Sequence, residues 1–187
     1  MADRLGLVER GDDERRPHRS PAEGPTAYAP WGRFPRGRRE GADLRAPRRT
    51  IRWGSFPTTA DVGIWARAPT AAGLFDGLAR ALTSQMTDLR TVRPIERREL
   101  SADAGDPTGL VVAFLTQLLD LEQEDGFLAR RVRVQLAGSP PTRLSATAWG
   151  EPFDEARHPR RIEVKAATFH RLVFDPRGHR ARVILDI

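Results

Sequence analysis

The apolar positions of this chain follow two periods, and the change from one to the other divides it into elements. Leu74, Phe75, Leu78, Leu82 and Met86 recur at three- and four-residue steps, the spacing that lines one face of a helix. They predict a helix over about 70–86, with Thr70 as its N-cap. A second stripe, Val111, Phe114, Leu115, Leu118 and Leu121, follows Asp106-Pro107. There the aspartate caps and the proline takes the first helical position, predicting a helix from 107 to about Glu124. Beyond it the period drops to two: Val132, Val134 and Leu136 alternate with Arg131, Arg133 and Gln135, and Leu144, Ala146 and Ala148 with Arg143, Ser145 and Thr147. Both read as half-buried strands. Further strands are expected at 51–56, 63–68, 92–102, 162–174 and 179–187, with Pro94 tolerable near a strand start. Asp175-Pro176-Arg177-Gly178 is a tight turn joining the last two, and GEPFDEARHPRR (150–161) is a polar loop. The order β-β-α-β-α-β-β-β-β predicts an α+β domain, two helices packed on a mostly antiparallel sheet.

Composition changes the picture at the N-terminal side. Residues 1–50 hold six prolines, six glycines and few aliphatic side chains, too little to offset chain entropy. They are expected to be a disordered extension of a single domain at 51–187. Within them YAPWGRFPRGRR (28–39) interleaves Tyr28, Trp31 and Phe34 with arginines, a pattern able to stack on and neutralise single-stranded nucleic acid, although a solvated tail is the weightier reading. The extension carries 12 arginines against 8 acids, whereas 51–187 carries 19 basic groups against 17 acids. The domain therefore lacks the basic surplus usual in a nucleic-acid binder. Cysteine is absent, which excludes disulfides, thiolate metal sites and a cysteine nucleophile. MADRLGLVERGDDERR lacks the apolar core of a secretory signal, and no apolar run approaches the ~18–20 residues needed to span a bilayer. A soluble, cytoplasmic protein is expected.

Familiar catalytic machinery is missing. There is no glycine-rich loop ending in Lys-Ser/Thr, no dinucleotide fingerprint, no HExxH and no nucleophile elbow. His158, His170 and His179 are expected to be surface or hydrogen-bonded structural groups. What stands out is Asp61 in TTADVGI and Asp186 in VILDI, since a carboxylate at an apolar strand end must be paired, hydrogen-bonded or metal-bound. An ordinary turn or strand-end aspartate is the alternative for each. Lys165 in EVKAATFH is the only lysine among 31 basic residues. A compact ammonium does what a wide guanidinium cannot, though chance placement would also leave one lysine somewhere.

Four segments in collinear order, TADVGI (59–64), GEPFDEARH (150–158), EVKAATFH (163–170) and RVILDI (182–187), together resemble the archease family over about 51–187, with residues 1–50 outside the resemblance. The resemblance implies a small α+β protein that is not itself an enzyme. It would assist the RtcB-type RNA ligase of tRNA splicing and RNA repair, which uses GTP and manganese to join a 2′,3′-cyclic phosphate or 3′-phosphate end to a 5′-hydroxyl. Its part would be to promote ligase guanylylation and multiple turnover. The resemblance also implies a divalent-cation site from Asp61, Asp186 and the terminal carboxylate of Ile187, with Lys165 as a functional basic group beside it. An all-oxygen donor set suits Ca²⁺, Mg²⁺ or Mn²⁺ over Zn²⁺, calcium being the first expectation, and a lysine there would balance carboxylate repulsion. Two departures from the family pattern stand out: Pro57 and Thr58 replace an acid-His pair, and Arg171 replaces a common glycine. The competing functions are a nucleic-acid-binding module using the arginine-rich extension and a metal-dependent phosphoesterase.

Overall fold

In a computed structural model the described residues are 50–59 and 61–187. The expected disordered extension, including the 28–39 segment, lies outside them. The elements follow the order read from the periodicities: β1 (Arg52–Pro57), β2 (Val62–Arg67), α1 (Ala71–Met86), β3 (Glu96–Asp103), α2 (Pro107–Asp125), β4 (Phe127–Ala137), β5 (Arg143–Pro152), β6 (Ala166–Asp175) and β7 (Arg180–Asp186). The strands form two sheets, β1-β2-β7-β6 (sheet A) and β3-β5-β4 (sheet B). Every ladder is antiparallel.

Two sheets are needed because α1 has little face left for water. Besides the predicted stripe, α1 buries Asp76, Gly77, Ala79, Ala81 and Thr83, so one sheet could not cover it. It packs on β1 and β2 of sheet A and on β4 of sheet B, while α2 packs on β6 and on β3, β4 and β5. The inner faces are the alternating apolar positions, Ile64, Ala66, Ala181, Val183 and Leu185 in sheet A and Val132, Val134, Leu144, Ala146 and Ala148 in sheet B. Phe75 and Phe114 meet edge-on at 5.3 Å between the helices. A side chain at Gly77 would bring its Cβ within 2.7 Å of the Ala66 Cβ, so glycine there sets the close approach of α1 to β2.

The expected caps are formed. Thr70 Oγ1 accepts from Gly73 N–H at 3.1 Å, and Asp106 accepts from the N–H groups of Thr108 and Gly109 at 2.8 and 2.9 Å. Gly126 ends α2 in the left-handed region. The two buried polar residues of α1 serve a bulge. The ladder slips between Ala129 and Arg131, which takes backbone groups off their partners. Val132 N–H donates to Asp76 at 2.8 Å and Thr83 Oγ1 donates to Ala129 O at 2.9 Å.

Two strand starts differ from expectation for the same reason, namely that their backbone is engaged elsewhere. β3 begins at Glu96 and not at Val92 because Arg93 N–H donates to the Glu151 carboxylate at 2.6 Å. β6 begins at Ala166 and not at Ile162 because Arg161 and Ile162 donate to Met86 O and Gln85 O at 3.0 and 3.2 Å, satisfying carbonyls left over at the end of α1. Among the described residues no helix is long and apolar enough to cross a membrane.

Candidate functional site

Sheet A brings the residues singled out in the sequence to one end. Val62 pairs with Leu185, and Ala166 pairs with Asp186. Asp61, one residue before Val62, and Asp186, one residue after Leu185, therefore stand side by side at the same end of β2 and β7. Lys165 precedes β6 on the other side of Asp186, and its N–H donates to Asp186 O at 2.9 Å. Its side chain Nζ donates to the main-chain oxygen of Ile187 at 3.1 Å. Asp186, Ile187 and Lys165 are exposed and Asp61 is half-buried.

The turn holding Asp61 is latched by Thr58. The Thr58 hydroxyl donates to Asp61 O at 2.7 Å and accepts from Asp61 N–H at 3.1 Å, and Thr58 N–H also donates to Asp61 O at 3.2 Å. Threonine here fixes backbone and leaves the Asp61 carboxylate alone. Among the described residues no hydrogen bond or ion pair engages the side-chain carboxylate of Asp61 or Asp186. Nor does any set of three His, Cys, Asp or Glu side chains among them come close enough to hold a metal ion. The side chains at this end thus offer two carboxylates, and a cation would need the Ile187 carboxylate as a third. The chemistry of that set, all hard oxygen, fits calcium, magnesium or manganese. It also places Lys165 in competition, because its ammonium already sits on an Ile187 oxygen.

A pocket of about 220 Å³ adjoins the site, lined by Thr58, Thr59, Asp61, His170, Arg171 and Ile184. His170 and Arg171 enter it because β6 leaves its ladder between Thr168 and Val173. Arg171 sits at the centre of that irregularity with φ of 53°, a left-handed conformation that glycine adopts without strain. His170 was read as a structural or surface group; it is exposed and faces the Asp61 turn. The signal available for it was its place in EVKAATFH.

The GEPFDEARH segment does something else. Glu151, 1% exposed, accepts at Oε1 from Arg93 N–H (2.6 Å) and Arg157 Nη1 (2.8 Å), and at Oε2 from Arg93 Nε and Nη2 (3.1 and 3.0 Å). His158 Nδ1 accepts from Asp154 N–H at 2.8 Å, so the ring proton lies on Nε2, 3.2 Å from Glu151 Oε1. Burial opposes ionisation of Glu151, but the Arg157, Arg93 and His158 hydrogen bonds outweigh it and hold its carboxyl well below the usual range. This is a structural clamp tying the end of β5 and the 153–158 segment after it to the chain just before β3, and His158 is the hydrogen-bonded structural histidine expected. A larger cavity, about 610 Å³, lies between the end of α2 and residues 160–164, with Glu122, Phe153, Arg160 and Glu163 in its lining. None of the singled-out aspartates or Lys165 lines it.

The fold and the site together define an α+β protein of two antiparallel sheets around two helices, with paired aspartates and a lysine at one sheet end. Residues 53–187 match the Archease protein family, and the chain belongs to that family. It is 36% identical over 120 residues to Protein archease of Thermococcus gammatolerans, covering 64% of this chain and 84% of that protein. It is 35% identical over 135 residues to Protein archease of Methanothermobacter thermautotrophicus, covering 71% and 96%. The likeness extends to a fish, with 32% identity over 131 residues to Protein archease of Ictalurus punctatus, covering 69% and 81%. Among solved structures, the solution structure of Methanobacterium thermoautotrophicum protein 1598 superposes with a TM-score of 0.62 at 32% identity, covering 72% of this chain and 98% of that one.

Proposed function

We propose that this protein is a cytoplasmic accessory factor of an RtcB-type RNA ligase in tRNA splicing or RNA repair, without catalytic activity of its own. In this reading it promotes guanylylation of the ligase and so sustains multiple turnover. The observation that carries the reading is the convergence of Asp61, Asp186, Lys165 and Ile187 at one end of sheet A within a chain of the archease family. Asp61, Asp186 and the Ile187 carboxylate would hold a divalent cation, calcium first and magnesium or manganese otherwise. Such an ion supplies concentrated positive charge for an anionic group of the partner. Lys165 offers an ammonium on the same edge, while Thr58 holds the Asp61 turn so that its carboxylate stays presented. The pocket lined by Asp61, His170 and Arg171, about 220 Å³, is smaller than the clefts that enclose small substrates and suits docking against a second protein surface better.

The test uses labelled GTP, manganese and purified ligase with and without the full chain. Faster labelling of the ligase, no label on this chain, and loss of the stimulation with Asp186→Ala are expected. A covalent nucleotide on this chain, or ligase labelling unchanged by its presence, would end the proposal.

A further inference from the structure

Apolar exposure in this domain is confined to a few points, and two of them lie near the site end. Among the described residues the large apolar side chains left exposed are Ile95, Phe169 and Ile187. Ile95 lies just before β3 of sheet B, whereas Phe169 is in β6 and Ile187 directly follows β7, adjoining strands of sheet A. Phe169 is 63% exposed, and among the described residues no other ring packs against it. A lone exposed apolar residue is ordinary on a protein surface. The register of β6 makes this one different.

Strand alternation alone would bury Phe169. Ala167, two residues earlier, stands opposite Leu185, and both are buried. Continued at the same register, the ladder would set Phe169 opposite the fully buried Val183. Instead the pairing stops at Thr168–Ile184 and resumes at Val173–Arg182, so four residues of β6 face one of β7. Leu172, packed on the core, takes the inner place, and Phe169, His170 and Arg171 are pushed out of the ladder, all three exposed. The arrangement forgoes the burial of a phenyl ring and holds Arg171 at φ of 53°, in the left-handed region. Bulges of this kind re-aim side chains next to functional sites, and backbone strain persists where it serves a site. The same protrusion supplies His170 and Arg171 to the pocket they share with Asp61.

The surroundings of the ring suit a protein better than a nucleic acid. A single strand stacks successive bases along a positively charged track. Here no second ring adjoins Phe169, the neighbouring strand ends carry the Asp61 and Asp186 carboxylates, which repel phosphates, and the other exposed apolar group, Ile187, is aliphatic. A bulky aromatic standing clear of its domain is the kind of residue that anchors a protein interface by filling a pocket on the partner. We propose that Phe169 is the anchor of a protein-docking surface at this end of sheet A, its ring entering an apolar pocket on the ligase. The identity of the partner rests on the reading given above, whereas the anchor rests on the register of β6.

The experiment measures binding of the fluorescently labelled full chain to purified ligase by anisotropy, together with labelled-GTP guanylylation at rising concentrations of each variant. Phe169→Ala is expected to melt with the wild type and to weaken binding at least about tenfold, as loss of an anchor does. It should raise the concentration giving half-maximal stimulation by the same factor and leave the plateau unchanged. Phe169→Leu, apolar but not aromatic, should recover most of the affinity, and Ile95→Ala should match the wild type. Full binding by Phe169→Ala would overturn the anchor while the ligase reading stands, whereas no binding or stimulation by the wild type would end both. A lowered melting temperature for Phe169→Ala would overturn the anchor by showing that the ring packs on its own domain. So would a lowered plateau at unchanged half-maximal concentration, which would place the ring in the reaction. If Phe169→Ala weakened binding of a labelled 12-nucleotide oligouridylate and left ligase binding intact, the ring would be a base-stacking group and no anchor. Dissociation of a self-associated wild type by Phe169→Ala, with ligase binding unchanged, would likewise overturn it and assign the ring to a second copy of this chain.

Discussion

The Lys165 ammonium rests on the main-chain oxygen of Ile187 at 3.1 Å, so the single lysine of the chain closes the site end of sheet A across β6 and β7. A guanidinium is longer and planar, and prefers a paired acceptor to a single oxygen. Lys165→Arg is therefore expected to lower stimulation of ligase guanylylation nearly as far as Lys165→Ala, on the order of tenfold. Thermal stability should barely change, because an exposed side chain away from the core is worth within about 0.5 kcal/mol. A wild-type rate for Lys165→Arg would show that charge alone suffices.

Arg171 concerns backbone energy. Its φ of 53° sits where the β6 ladder is interrupted, and a left-handed conformation costs a residue with a Cβ about 1–2 kcal/mol. Arg171→Gly removes that cost at the price of some unfolded-state entropy, leaving a net gain of about 0.5–1 kcal/mol. The expected readout is a melting temperature raised by about 2 °C. A lower melting temperature would mean that the interactions of the Arg171 side chain outweigh the backbone relief.

Both helices and the order of the strands were legible because a buried stripe has to repeat with the period of its element. What sequence alone concealed is nonlocal. The start of β4 at Phe127 was hidden because Phe127, Leu128 and Ala129 are all buried and the bulge interrupts alternation until Val132. The division into two sheets depends on pairings between distant segments, such as β2 with β7, that no local pattern records. Asp61, Asp186 and Lys165 were legible as odd residues in their settings, but only the family resemblance implied that they meet, and the register of β2, β6 and β7 is what produces the meeting. Glu151 was read as part of a polar loop, and a carboxylate gives no sequence-level sign that two arginines and a histidine will bury it.

That buried carboxylate has a pH signature. Glu151 ionises more readily folded than unfolded, so its contribution is complete above the ordinary glutamate value near ~4.3 and is lost progressively as pH falls below it toward the depressed folded value. Glu151→Gln removes the charge-assisted bonds to Arg93 and Arg157 and is expected to cost about 2 kcal/mol at pH 7. The gap between wild type and variant should narrow as pH is lowered from 5 to 3, because the wild type alone has this contribution to lose. Urea denaturation at each pH measures it. A gap that stays constant would show that the fold does not favour the ionised carboxylate over the unfolded chain, and one that widens would show that it favours the neutral form.

The last prediction concerns the third carboxylate of the proposed cation site. Asp61 and Asp186 supply two carboxylates at adjacent strand ends, no third acidic, histidine or cysteine side chain joins them among the described residues, and the Ile187 oxygen is already oriented by Lys165. If the Ile187 carboxylate completes the set, extending the chain beyond Ile187 converts it to a neutral amide carbonyl, a weaker ligand for a hard cation. Extension, Asp61→Ala and Asp186→Ala should each weaken calcium or manganese binding by at least about tenfold in calorimetric titration, while an N-terminal tag leaves it unchanged. All three proteins should melt close to wild type, since the changes lie in a turn and at a strand end outside the core. Lys165→Ala separates the two roles of the lysine: removing the competing ammonium should leave cation affinity equal or tighter while stimulation of the ligase falls. Equal affinity of the extended and unextended chains would take Ile187 out of the site, and weaker binding by Lys165→Ala would mean that the ammonium organises the carboxylates more than it competes for them.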